Sequence, residues 1–261
     1  MDQYRGSTVV ITGASSGLGA EFARRFAERG ADVVLVARRA DRLQELAAGL
    51  EREYGVRAHP VPLDLARPDA PDRLRDWLDR NGVRVDGLVN NAGFGTKGRF
   101  ADSDPARELE QIALNVTALV ALTRELLPEL IASGRGVLVN LASTAAYQPC
   151  PQMAVYGATK AFVLSFTEAL AAETRGSGLR VLSVAPGPTR TEFFDVLGDR
   201  SAAVGRFQTP AQVVSTTLRA LDRRRTPASV VSGVANAVTA RAAGLLPRRL
   251  VLAISDRALN S

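Results

Sequence analysis

The stretch "TGASSGLG", Thr12 to Gly19, decides the fold. It follows the β-branched run "TVVIT" and opens a segment of helical period, so a strand leads through a tight turn into a helix. Gly13 permits the turn, and Gly17 and Gly19 remove side chains where strand and helix approach closely. The unpaired N–H groups of the helix's first turn, with Ser15, Ser16 and Leu18 between the glycines, then suit a pyrophosphate. The spacing is G-x-x-x-G-x-G, not G-x-G-x-x-G, so placement after a first strand carries the reading more than the pattern does.

Outward from that turn, short β-branched runs alternate with longer helical stretches. Strands are expected at "TVVIT", "ADVVLVA", "VRAHPV", "GLVNN", "GVLVNLAS", "LRVLSVAP" and, weakly, "ASVVSG". Helices are expected near residues 17–29, 40–54, 69–80, 103–132, 154–175 and 209–223. This alternation predicts an α/β, doubly wound, mostly parallel sheet of seven strands with helices on both faces. No repeat or low-complexity linker interrupts it, so residues 1–261 read as one domain. The segment 190–209, with Phe193 and Phe194, reads as a long substrate loop.

Composition narrows the class. Apolar residues make up 46% and charged residues 23% of the chain, which excludes disordered and disulfide-scaffold classes. The single cysteine, Cys150, has no partner for a disulfide and reads as a wall residue. His59 is the only histidine and reads as structural, so no metal site is expected. The amino terminus lacks a signal-peptide pattern, and a cytoplasmic location is expected. The mostly apolar run Ile112 to Thr123 is too short for a bilayer.

The net charge of +6 is uneven, with nine Arg against two Asp over residues 206–261. Solvated helix faces or a subunit contact explain this better than a nucleic-acid patch. The basic carboxyl-terminal segment 237–261 mixes apolar residues with arginine, as a membrane-surface anchor would. Pro247 interrupts any long helix there, which favours packing.

Cofactor choice is read at the end of the second strand, "LVARRADR". A carboxylate there would accept from the ribose hydroxyl of NAD. Ala37 supplies none, whereas Arg38 and Arg39 supply guanidiniums suited to a 2′-phosphate, so NADPH is expected over NADH.

A second stretch, "YGATK", holds Tyr156 and one of the chain's two lysines, Lys160. The apolar residues Val155, Ala158, Phe162, Phe166 and Ala169 recur at helical spacing, which puts the pair on one helix face beside an expected buried stripe. A fixed ammonium favours the phenolate, so Lys160 is expected to draw the phenol below its usual value of about 10. A tyrosine so tuned can give a proton to, or take one from, an oxygen.

Together "TGASSGLG", Asp64 with Leu65, "NNAG" at Asn90 to Gly93, Asn115, Ser143, "YGATK" and "PGPTRT" at Pro186 to Thr191 resemble the short-chain dehydrogenase/reductase family, in its compact single-domain branch. The resemblance spans residues 7–190. It implies a Rossmann-like fold and a reductase of ketones or aldehydes, reversible to alcohol oxidation. By the same resemblance Tyr156 is the general acid/base. Lys160 depresses its pKa and binds the nicotinamide ribose, Ser143 holds the substrate oxygen, and Asn115 positions a water linking Lys160 to solvent. Asp64 then meets the adenine, Leu65 and Asn91, Ala92 and Gly93 line the cofactor, and Pro186, Gly187 and Thr189 face the nicotinamide. A homodimer or homotetramer is implied, through the helices at 103–132 and 154–175.

Phe94, Phe193, Phe194 and the loop "AAYQPCPQM" suggest an apolar substrate pocket. Ser143 lacks a G-x-S-x-G elbow, which argues against acyl transfer. A catalytically silent dinucleotide-binding regulator or scaffold would be expected to have lost part of the Asn115, Ser143, Tyr156, Lys160 set, and all four are present. An epimerase or dehydratase would resemble a longer chain with another glycine spacing.

Overall fold

The first strand, β1 (Thr8–Thr12), is apolar because layers cover both of its faces. Val9 and Ile11 point into one core with Phe22, Phe26 and Leu43, and Val10 points into the other with Leu74, Leu122 and Leu126. The computed structural model describes residues 4–198 and 206–260. Along the chain β1 is followed by α1 (Gly17–Glu28), β2 (Asp32–Ala37), α2 (Ala40–Tyr54), β3 (Ala58–Pro62), α3 (Ala70–Arg80) and β4 (Gly87–Asn90). Then come α4 (Pro105–Ile112), α5 (Leu119–Ala132), β5 (Val137–Leu141), α6 (Ala154–Glu173), β6 (Arg180–Ala185), α7 (Phe193–Leu197), α8 (Pro210–Leu221), β7 (Ser229–Val231), α9 (Val234–Leu245) and α10 (Arg248–Asn260).

Seven parallel strands lie in the order β3-β2-β1-β4-β5-β6-β7. The order reverses between β1 and β4, which opens a crevice above their carboxyl ends where such sheets bind ligands. The expected strands are all present, with edges moved by a residue or two. The helix expected over 103–132 is α4 and α5 joined by a π-helical turn at Ala113–Ala118. Pro247 separates α9 from α10, two helices beyond those expected, of which α9 carries only a weak apolar periodicity.

Two expectations change. On α6 the buried face is Tyr156, Thr159, Lys160, Val163, Thr167 and Leu170. The apolar stripe instead looks outward, with Ala158 and Ala169 exposed and Phe162 at 43%. Polar side chains face inward because the sheet offers them partners. The second concerns the 190–209 connection, of which residues 199–205 lie outside the described residues. The remainder holds α7 and is pinned at its base, where Arg190 N donates to Gln208 O and Gln208 N to Pro188 O. Among the described residues no helix is long and apolar enough to cross a membrane.

Those inward polar groups form a ladder through the core. The Asn90 amide donates to Thr123 Oγ1 at 3.0 Å and to Asn140 Oδ1 at 2.9 Å, and the Asn140 amide donates to Thr167 Oγ1 at 3.0 Å. It ties β4 and β5 to α5 and α6. Asn140→Ala leaves buried partners unpaired, at about 1–3 kcal/mol each. We expect the melting temperature to fall by about 4 °C or more. A melt within about 1 °C of wild type would show that the ladder adds nothing.

Candidate active site

The crevice is built first by the turn after β1. Gly13 adopts φ +66°, and a side chain there would meet the Asn91 amide 2.8 Å away. A side chain on Gly19 would strike the Gly13 carbonyl oxygen. The turn is fastened to the β4 loop by Thr12, whose hydroxyl accepts from Asn91 N and Ala92 N at 2.9 Å and donates to Val89 O at 3.2 Å. Asn91 returns a bond from its amide to Thr12 O at 2.8 Å. Turn and loop thus hold one fixed gap, with the first N–H groups of α1 facing it.

Across the gap, Ser143 follows β5, while Tyr156 and Lys160 lie one turn apart on α6. The Tyr156 hydroxyl faces Ser143, whose oxygen accepts from Ala145 N at 3.1 Å. Lys160 Nζ donates to the Leu141 carbonyl at 2.8 Å and stands 5.8 Å from the Tyr156 ring centre. Asn115 sits in the π-helical turn, a distortion frequent at functional sites. Its amide donates to Phe94 O at 2.9 Å and Thr159 Oγ1 at 3.2 Å, and its oxygen accepts from Phe94 N at 3.1 Å.

The electrostatics differ from expectation. Burial pushes the Tyr156 phenol up to about 12, against a smaller lowering from the neighbouring Ser143 hydroxyl. The same burial lowers Lys160 to about 8. Desolvation dominates both shifts, and neither carries a contribution from the other group. Cys150 is likewise raised to about 11 by burial, so its thiol is inert at neutral pH and it serves as wall.

One cavity of about 440 Å³ takes in nearly every candidate. Gly13, Ser15, Ser16, Gly17 and Leu18 line one wall, and Arg38, Arg39, Asp64 and Leu65 one end. Asn91, Ala92, Gly93, Ser143, Tyr156, Lys160, Pro186, Gly187 and Thr189 line the rest. Gly19 and Asn115 stand behind the wall and shape it. Arg39 binds the glycine turn directly, donating from Nη2 to Ser15 Oγ and Ser16 Oγ at 2.9 Å, whereas Arg38 is more exposed and pairs with Glu110 at 3.6 Å.

Sequence reasoning missed Thr12 as a fastener, although it stands in the quoted motif. It also missed Arg42 and Glu192, which meet only through the tertiary fold, and the contacts of Arg107 with Phe94 and of Thr191 with Gly17. Arg107 lies over the Phe94 ring at 4.1 Å and pairs with Glu110 at 2.7 Å. The narrow glycine turn, the arginine fork at one end and the buried Tyr156 at the other fit a dinucleotide carrying a 2′-phosphate.

Comparison with known proteins agrees with this geometry. The family model described as short chain dehydrogenase matches residues 7–201. Sulfoacetaldehyde reductase 2 of Chromohalobacter salexigens is 44% identical over 210 residues, covering 78% of this chain and 82% of that protein. Among solved structures, a short-chain dehydrogenase from Sphingobium yanoikuyae in complex with NADPH superposes with a TM-score of 0.80 at 38% identity, over 92% of this chain and 94% of that one. L-Sorbose reductase from Gluconobacter frateurii, complexed with NADPH and L-sorbose, gives 0.78 at 32% identity, over 89% and 98%. The chain belongs to the short-chain dehydrogenase/reductase family and is an oxidoreductase acting on CH–OH groups.

Proposed function

We propose that the protein is an NADPH-dependent reductase of apolar ketones or aldehydes, able to run in reverse as an alcohol dehydrogenase. The observation that carries this is the buried Tyr156, facing Ser143 beside Lys160, at the apolar end of the cavity. The nicotinamide supplies the hydride, so the chain has only to bind, orient and donate one proton. Ser143 and Tyr156 hold the carbonyl oxygen, and the phenol, protonated at neutral pH, gives its proton to the alkoxide as it forms. Lys160, fixed by the Leu141 carbonyl, keeps N–H groups for the ribose and a positive charge beside the developing anion. Asn115 acts from behind, by fixing Phe94 and Thr159.

Around Tyr156 the walls are Phe94, Cys150, Met153, Phe193, Phe194 and Val196, none of them charged. Arg107 lies over the Phe94 ring at 4.1 Å, but its charge is balanced by Glu110, which also pairs with Arg38. This favours an uncharged substrate, in contrast to the sulfonate that the name of the relative sulfoacetaldehyde reductase implies for that enzyme. A second copy is favoured by the outward apolar face of α6, where Phe162 and Phe166 stack at 5.9 Å beside α4 with its exposed Leu109 and Ile112.

Reduction needs Tyr156 protonated and Lys160 charged. With Lys160 near 8 and Tyr156 near 12, reductive kcat/KM should be flat below neutrality and fall above about pH 8, as the ammonium loses its proton first. Tyr156→Phe should cost about 10²-fold or more at every pH. A rate unchanged to pH 10, or a Phe variant near wild type, sinks this assignment. Arg39→Ala should reduce NADPH efficiency by about tenfold or more and leave NADH nearly unchanged; equal losses would remove the 2′-phosphate argument. For self-association, sedimentation velocity of Phe162→Asp should show monomer where wild type shows a larger species. A wild type that sediments as monomer contradicts it.

A further inference from the structure

Opposite the glycine turn, Glu192 ends the loop after β6 and starts α7. Its Oε2 accepts from Arg39 Nη1 at 2.8 Å, and its Oε1 accepts from Arg42 Nη1. These two guanidiniums hold its carboxyl down at about 2, so it is ionised at any working pH. Arg39 has no idle edge: Nε and Nη2 serve Ser15 and Ser16, and Nη1 serves Glu192. The preceding residue, Thr191, lies against Gly17, where any side chain would be 2.9 Å from its methyl. The following residue, Phe193, packs on the Tyr156 ring at 5.4 Å between centres. One carboxylate therefore straps α7 across the cleft from the adenosine end, next to the aromatic that covers the reacting end.

We propose that Glu192 is a specificity-determining residue for the cofactor: it occupies Arg39 and Arg42 in the free protein and is exchanged for the 2′-phosphate when NADPH binds. The inference rests on the NADPH reading above. A phosphate brought beside an ionised carboxylate on the same two arginines is repelled unless the carboxylate leaves. Its arrival therefore releases the α7 strap. A dinucleotide without that phosphate leaves Glu192 latched, so the strap distinguishes the two cofactors by more than their contact with arginine.

The test uses half-cofactors, which bind without turnover. Isothermal titration of the full chain with 2′,5′-ADP and with 5′-AMP is expected to show Glu192→Gln tightening 2′,5′-ADP by about tenfold, with 5′-AMP within about twofold of wild type. In wild type, amide hydrogen exchange over residues 191–198 should quicken with 2′,5′-ADP and not with 5′-AMP. Unchanged or weaker 2′,5′-ADP binding by Glu192→Gln, or equal tightening of both ligands, overturns the exchange. Wild type that binds 2′,5′-ADP no better than 5′-AMP overturns the NADPH reading itself, a separate outcome.

Discussion

The approach of α1 to the end of β1 is the constraint on which the site depends. Gly19 lies so close to the Gly13 carbonyl that no side chain fits between them. With Gly13 held in a positive-φ turn, the chain reverses within a few residues and aims the first turn of α1 at the crevice. Thr12 and Asn91 then lock that turn to the loop after β4, the strand at which the sheet order reverses. Were the turn looser, the gap for a pyrophosphate would widen, and the far end of a long ligand would miss Tyr156. Rigid backbone spacing at one end thus sets the reacting geometry at the other.

The opposing constraint is electrostatic. Tyr156 and Lys160 are both buried, and desolvation moves each toward its neutral form. This suits a proton donor better than a preformed phenolate, and it explains the choice of lysine over arginine. A guanidinium remains charged in such a place, and its planar fork needs more acceptors than the single Leu141 carbonyl that holds Nζ. A compact ammonium is satisfied there and keeps donors to spare.

Legibility in the sequence followed the range of the interactions. The strands were readable because both faces of the central sheet are apolar, and the turn and the Tyr156–Lys160 pair because their parts lie within a few residues. The inward face of α6 was not, since hydropathy favours the stripe containing Phe162 and Phe166 while the sheet recruits Lys160 and Thr167, and Asn115 recruits Thr159. Nor does any local pattern announce the π-helical turn that presents Asn115. Glu192 meets Arg39 from 153 residues away, a pairing that only the closed fold creates. The depressed phenol expected from spacing alone failed for a related reason: proximity is visible in a helix repeat, but burial is not.

The aromatic relay beyond Tyr156 gives the reacting end its character. Tyr156, Phe193, Phe194 and Phe207 follow one another at ring separations of 5.4, 5.4 and 5.3 Å, and Gly95 lacks the side chain that would collide with Phe193. Such a wall excludes water from the phenol, which strengthens the hydrogen bonds made to a developing oxyanion. It offers a substrate shape and apolar surface but few directed polar contacts. Discrimination by a methylene in such a pocket amounts to only about 1–3 kcal/mol. If the substrate is the apolar ketone proposed, selectivity would arise from which ketones let Phe193 stay packed on Tyr156, with breadth among uncharged substrates of similar girth as the physical consequence.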